Sequence, residues 1–157
     1  MSTPSGSNED DWVQIFTIGF TKKNAQKFFT LLHDAGVRRV VDVRLNNVSQ
    51  LAGFAKRDDL EFFLRELHGI DYAHLRGLAP TQDILDALKK QKGSWDEYEK
   101  RFITLMAERR IEEKVSRDML HRSCLLCSED TAENCHRRLV ADYLKEKWGN
   151  VQITHLV

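Results

Sequence analysis

KKNAQKFFTLLHDAGVRRVVDVRL (residues 22–45) decides the fold. Ala25, Phe28, Phe29, Leu31 and Leu32 recur at helical spacing, Gly36 closes that run, and the β-branched stretch Val37–Leu45 follows as a strand. The same helix-then-glycine pattern returns in RDDLEFFLRELHG (residues 57–69), with Leu60, Phe63, Leu64 and Leu67 as its apolar face, before a strand over Ile70–Leu78. Upstream, WVQIFTIGF (residues 12–20) reads as the first strand. The order is therefore β-α-β-α-β.

A mostly helical stretch comes next, predicted as one helix over Thr81–Lys90, a break at Gly93 and Ser94, and one long helix from Trp95 to about Leu120. SCLLCSE (residues 123–129) is a short buried strand, CHRRLVADYL (residues 135–144) opens a helix, and VQITHLV (residues 151–157) is a last strand. Five strands separated by helices predict a single-domain three-layer α/β sandwich, with a mostly parallel five-stranded sheet and helices on both faces, because parallel neighbours need crossover connections. The domain is expected over residues 12–157, behind a disordered tail over residues 1–11 that offers almost nothing to bury.

The chain has 157 residues with 41% hydrophobic content, enough for one sizeable core. Lys and Arg (24) balance Asp and Glu (24), so bulk attraction to nucleic acid or anionic membrane is not expected and any anion site must be local. Three cysteines cannot all pair, and no apolar leader or roughly 20-residue apolar span is present, which predicts a soluble protein of a reducing cytoplasm.

In doubly wound sheets, ligands sit outside the carboxyl ends of the strands. Those ends carry Gly19 and Phe20, then Asp42 and Arg44, then His74 and Arg76, then Cys127, Ser128 and Glu129, and finally His155. Asp42 and Arg44 stand two apart and share a face, so they either pair or divide the work: Arg44 offers a planar fork to a carboxylate or phosphate while Asp42 orients it or acts as acid or base. Cys135 shares a helix face with Leu139 and Tyr143, and His136 with Val140 and Leu144, so both turn toward the sheet. Cys135 is either core packing or a thiol activated by the helix start, where free amides with Arg137 or Arg138 would also hold a phosphate. Cys124 and Cys127 have C-x-x-C spacing but lie three apart on a strand and point to opposite faces. Cys127, Cys135, His136 and His155 match no standard zinc spacing, so no metal site is expected.

No Gly-rich phosphate loop, G-x-S-x-G elbow or H-E-x-x-H run is present. TIGF (residues 17–20), VVDVRLNNVSQLAGFAKRDDL (residues 40–60) and CLLCSEDTAENCHRRLVADYL (residues 124–144) occur in that order, and on them the chain resembles the family catalogued as domain of unknown function 488. Phe20 stands where members commonly carry a His, and Asn46, Asn47, Ser49 and Gln50 replace a common Pro and Ser-Arg pair. The resemblance implies a fold and the site positions Asp42, Arg44, Glu129, Cys135, His136 and Arg137, without an activity.

The candidate catalytic groups are thus Asp42, Glu129, Cys135 and His136, and the candidate ligand-binding groups Arg44, Arg137, Arg138, Ser49 and His74. The first expectation is an enzyme or binding protein with a pocket for a phosphorylated small molecule or a nucleic-acid end, with Glu129 or Asp42 as base and His136 as acid or orienter. The alternatives are sulfurtransferase-like thiol chemistry on Cys135, echoing VVDVR, or a non-catalytic module that senses the same anion. The sequence names neither a cofactor nor a protein partner, and no membrane association is expected.

Overall fold

The computed structural model describes residues 12–46, 53–128 and 135–157; the expected tail over 1–11, Ser49 and Glu129 lie outside the described residues. Five strands, β1 (Val13–Gly19), β2 (Arg39–Asp42), β3 (Asp71–His74), β4 (Ser123–Cys127) and β5 (Val151–Leu156), form one sheet in the order β3-β2-β4-β1-β5. Every pairing is parallel, so the sheet is uniformly rather than mostly so. The central strand β4 is buried along its whole length, as a strand covered on both faces must be.

One face is covered by α1 (Ala25–Asp34) and α2 (Arg57–Phe62), the latter continuing through a wider turn over Phe63–Leu67. Phe28, Leu32, Leu60 and Leu64 pack there against Phe16, Ile18, Val40 and Leu126. Asn24 caps α1 by accepting from the Lys27 amide at 2.8 Å, and Gly36 and Gly69 take positive φ just past the two helical segments, where a Cβ would be strained.

The other face is covered by α3 (Gln82–Lys89), α4 (Trp95–Arg109), α5 (Ile111–Lys114), α6 (Arg117–Leu120) and α7 (His136–Trp148). Ile84, Phe102, Met106, Leu139 and Leu144 meet Ile15, Val41 and Leu125 there. The long helix expected from Trp95 to Leu120 is three helices. Arg110 adopts the left-handed conformation (φ 54°, ψ 51°) and ends α4, Val115 is extended, and Ser116 restarts the chain by capping the Met119 amide. The turn lets Ile111 and Leu120 both enter the core, which a straight helix would not allow.

The chain leaving β4 runs to the α7 face, whereas the chains leaving its neighbours β1 and β2 run to the face of α1 and α2. Divergent exits open a crevice at the carboxyl edge, the place where such sheets hold ligands. No described helix is long and apolar enough to cross a membrane.

Arg110 occupies a backbone region that costs a non-glycine residue roughly 1–2 kcal/mol, partly offset by the greater freedom glycine has in the unfolded chain. Arg110→Gly is expected to raise stability by about 0.5–1 kcal/mol in urea unfolding. An unchanged or lower midpoint would contradict the break described here.

Candidate functional site

β2 ends at Asp42, and the chain continues extended so that the Val43 amide donates to the Leu126 carbonyl at 3.1 Å. Asp42 and Arg44 consequently sit on one face, and they pair. Arg44 Nε donates to Asp42 Oδ1 and Nη2 to Oδ2, both at 2.8 Å, and the Arg44 amide adds a third bond at 3.1 Å. Tyr72 Oη, from the neighbouring strand, donates to Oδ2 at 2.6 Å. Burial alone would raise the Asp42 carboxyl, but the Arg44 hydrogen bonds and charge, helped by Tyr72, outweigh it and hold the group below its ordinary 3.8. Asp42 is 0% exposed and Arg44 3%, so this is a buried ion pair with its carboxylate fully engaged. These contacts give Asp42 the orienting part.

The guanidinium is left with one edge over. Its Cζ lies 5.4 Å from the Phe20 ring centroid, and Nη1 is buried with no hydrogen-bond partner among the described residues. Phe20 thus supplies a π face at the position where a His was the family expectation. His74 Nε2 donates to the Arg44 carbonyl at 2.8 Å, so it steadies the backbone of Arg44 rather than lining the crevice.

Across the crevice, α7 begins at His136, with Cys135 as the extended residue before it. His136 Nε2 donates to the Val43 carbonyl at 2.6 Å, which leaves Nδ1 as the acceptor in the neutral ring. Cys127 Sγ lies 3.4 Å from that Nδ1. The ligating atoms of Cys127, Cys135 and His136 all fall within 4.8 Å of one another, and all three residues are buried. Burial, then the neighbouring Cys127, push the Cys135 thiol well above its ordinary range, with His136 working weakly the other way. Desolvation therefore works against the acidification that a helix start offers a thiol.

The crevice holds about 230 Å³. Arg44 and Asn46 border it from the segment after β2, Cys127 and Ser128 from the end of β4 and just past it, Cys135 and His136 from the start of α7, and Lys89, Trp95 and Tyr98 from the helical face. Trp95 and Tyr98 stack at 4.9 Å between centroids and 20° between planes, forming a flat apolar wall. Arg137 and Arg138 do not join this wall. With about 100° of helix rotation per residue, only His136 of the three faces the crevice; Arg137 is wholly buried elsewhere, and Arg138 meets Asp142 at 3.1 Å and Glu99 at 3.5 Å on the surface. His155 bonds Thr17 Oγ1 at 2.6 Å, apart from the cluster.

Residues 24–144 match the sequence profile of the family described as domain of unknown function DUF488. The chain belongs to that family. Neither a curated protein nor a solved structure matches it significantly. Within this DUF488 chain, sequence reasoning passed over Tyr72, Asn46, Lys89, Trp95, Tyr98 and the pairing of Cys127 with His136. Tyr72 reaches Asp42 only through the pairing of β3 with β2, where it stands opposite Val40 and diagonal to Asp42. Trp95 and Tyr98 had no readable signal, since an aromatic pair on a helix reads the same whether it fills a core or walls a pocket.

Removing one donor from a buried carboxylate costs about 1.5–3 kcal/mol. Tyr72→Phe is expected to lose that much in urea unfolding. Because the folded Asp42 lies below its ordinary value, its stabilisation is complete above pH 3.8 and disappears only as pH falls through the lower folded value. Wild type minus Asp42→Asn should therefore be flat above that pH and shrink below it; a difference that fades on raising pH would reverse the assignment.

Proposed function

We propose that the crevice between β2 and β4 binds a small phosphorylated compound carrying one flat ring, of the mononucleotide class, and that Arg44 is its anion contact. One observation carries this reading: a buried guanidinium, held by Asp42, which Tyr72 holds in turn, has one nitrogen with no acceptor among the described residues while it borders a crevice. A buried donor left unsatisfied costs about 1–3 kcal/mol, which an anionic oxygen would recover. Trp95 and Tyr98 supply a flat surface for a ring, and Asn46, Ser128 and Lys89 add polar groups at the wall.

Size and charge narrow the ligand. About 230 Å³ is below the usual range of about 300–1,000 Å³ for drug-sized ligands, which favours one ring and one phosphate over an extended polymer. Two cationic side chains border the crevice on a chain of zero formal charge, so binding should depend only weakly on salt, unlike a nucleic-acid groove. His136 borders the same crevice, its ring oriented by the Val43 carbonyl.

A second reading, thiol chemistry, is favoured by the 3.4 Å separation of Cys127 Sγ and His136 Nδ1. It sets a base beside Cys127 as well as beside Cys135, and His136 is oriented by the Val43 carbonyl as such a base needs. Rapid alkylation of Cys127 by iodoacetamide at neutral pH, abolished in His136→Gln, is its expected signature. Equal, slow labelling in both proteins would remove it.

For the first reading, a nucleoside monophosphate at a hundred-fold above its Kd should raise the melting temperature by about 5–10 °C. Arg44→Lys keeps a cation against Asp42 but loses the planar fork, so it should fold and lose most of that rise. A rise of the same size in the variant, or none in the wild type with any phosphate compound, would defeat the anion pocket.

A further inference from the structure

We infer that Cys127, Cys135 and His136 form a binding site for a borderline-soft divalent transition metal such as Zn²⁺, with its fourth position open to the crevice. The inference goes beyond the anion reading and does not rest on it. Three donors of the right softness converge from two separate elements, the end of β4 and the start of α7, and their ligating atoms lie within 4.8 Å of one another. A zinc ion with bonds of about 2.3 Å to sulfur and 2.0–2.1 Å to nitrogen sets tetrahedral edges of roughly 3.5 Å between S and N and 3.8 Å between two S atoms. The Cys127 Sγ to His136 Nδ1 distance is 3.4 Å. One edge thus already has the tetrahedral length, and the other two, at no more than 4.8 Å, need the side chains to close by at most about 1.3 Å.

The support around the imidazole fits the same purpose. Metal-bound histidines almost always donate their other ring N–H to a carbonyl or carboxylate, which fixes the ring and its tautomer. His136 Nε2 does this to the Val43 carbonyl at 2.6 Å, turning the lone pair of Nδ1 toward the sulfurs, and the Phe102 ring packs edge-on against the imidazole at 5.5 Å.

Three protein donors leave one tetrahedral position. The group contains no fourth ligand among the described residues, and all three of its members border the crevice, whose described wall carries no carboxylate. Water or a bound compound would fill that position, the pattern of reactive rather than structural zinc sites. Two thiolates cancel the charge of the ion, and binding releases their two protons to solvent. C-x₇-C-H is not a standard zinc spacing, so the site is visible only once β4 and α7 are brought together.

Co²⁺ titrated into the reduced, metal-free full chain is the probe. One equivalent should give a thiolate-to-cobalt charge-transfer band with the intense visible absorption of a tetrahedral site, and Zn²⁺ should displace it. Cys127→Ser and Cys135→Ser should each weaken Co²⁺ binding about 100-fold or more, exceeding the 10–100-fold typical of losing an outer-shell partner. Cys124→Ser, on the opposite face of the sheet, should leave the spectrum unchanged. No thiolate band, or a band of unchanged intensity and affinity in both serine variants, overturns the inference. Should the variants fail to fold, ¹¹³Cd NMR of the wild type decides: a resonance in the two-thiolate range supports the site, and an oxygen-only shift or no bound resonance overturns it. Metal binding without stabilisation by phosphate compounds sinks only the anion pocket, and the converse sinks only the metal site.

Discussion

The carboxyl edge of the sheet is organised around an ion pair that water does not reach. Asp42 accepts two bonds from the Arg44 guanidinium, one from its amide and one from Tyr72, and both partners of the pair are almost completely buried. A buried pair of this kind is seldom a net source of stability, because taking both charges out of water offsets much of their attraction, yet losing one partner costs about 3–5 kcal/mol. Its structural consequence is clearer than its energy. It fixes the direction of Arg44 at the mouth of the crevice, and it holds the backbone of residues 42–44, whose Val43 carbonyl fixes His136.

That chain of contacts joins the two faces of the sheet. Asp42, Tyr72 and Phe20 belong to the side covered by α1 and α2, while Cys127, Cys135 and His136 belong to the side covered by α7. The Val43 carbonyl is the link between them, because Val43 alternates to the α7 side while its two neighbours do not. A ligand in the crevice would thus meet a rigid cation from one side and a sulfur-imidazole cluster from the other, each pre-oriented by bonds made within the fold. Preorganisation of this kind is what distinguishes a site from a chance grouping of polar residues.

Much of this was legible in the sequence. Alternating helix-glycine-strand units fixed the α/β class, and the two-residue step from Asp42 to Arg44 placed both on one face, as their pairing requires. Four-residue steps turned Cys135 and His136 inward, and C-x-x-C spacing separated Cys124 from Cys127, which the structure places in different core clusters. What could not be read depended on non-local packing. The strand order sets β4 beside β2, and only that neighbourhood brings Cys127 to His136. Arg137 and Arg138 look equivalent to His136 along the chain but differ by helix rotation about α7. The break at Arg110 was hidden because a single left-handed residue other than glycine leaves no mark in apolar periodicity.

The most direct test of the crevice follows the Arg44 guanidinium itself. In arginine-¹⁵N-labelled protein, titration with a nucleoside monophosphate should shift the Arg44 side-chain resonances saturably, together with the His136 ring and the Trp95 indole. The Arg138 guanidinium, committed to Glu99 and Asp142 on the surface, should stay still. Saturable shifts confined to Arg44 and the crevice wall would establish it as the anion contact. Shifts at Arg138 and other surface arginines, with Arg44 unmoved, would show that the buried guanidinium serves the fold alone.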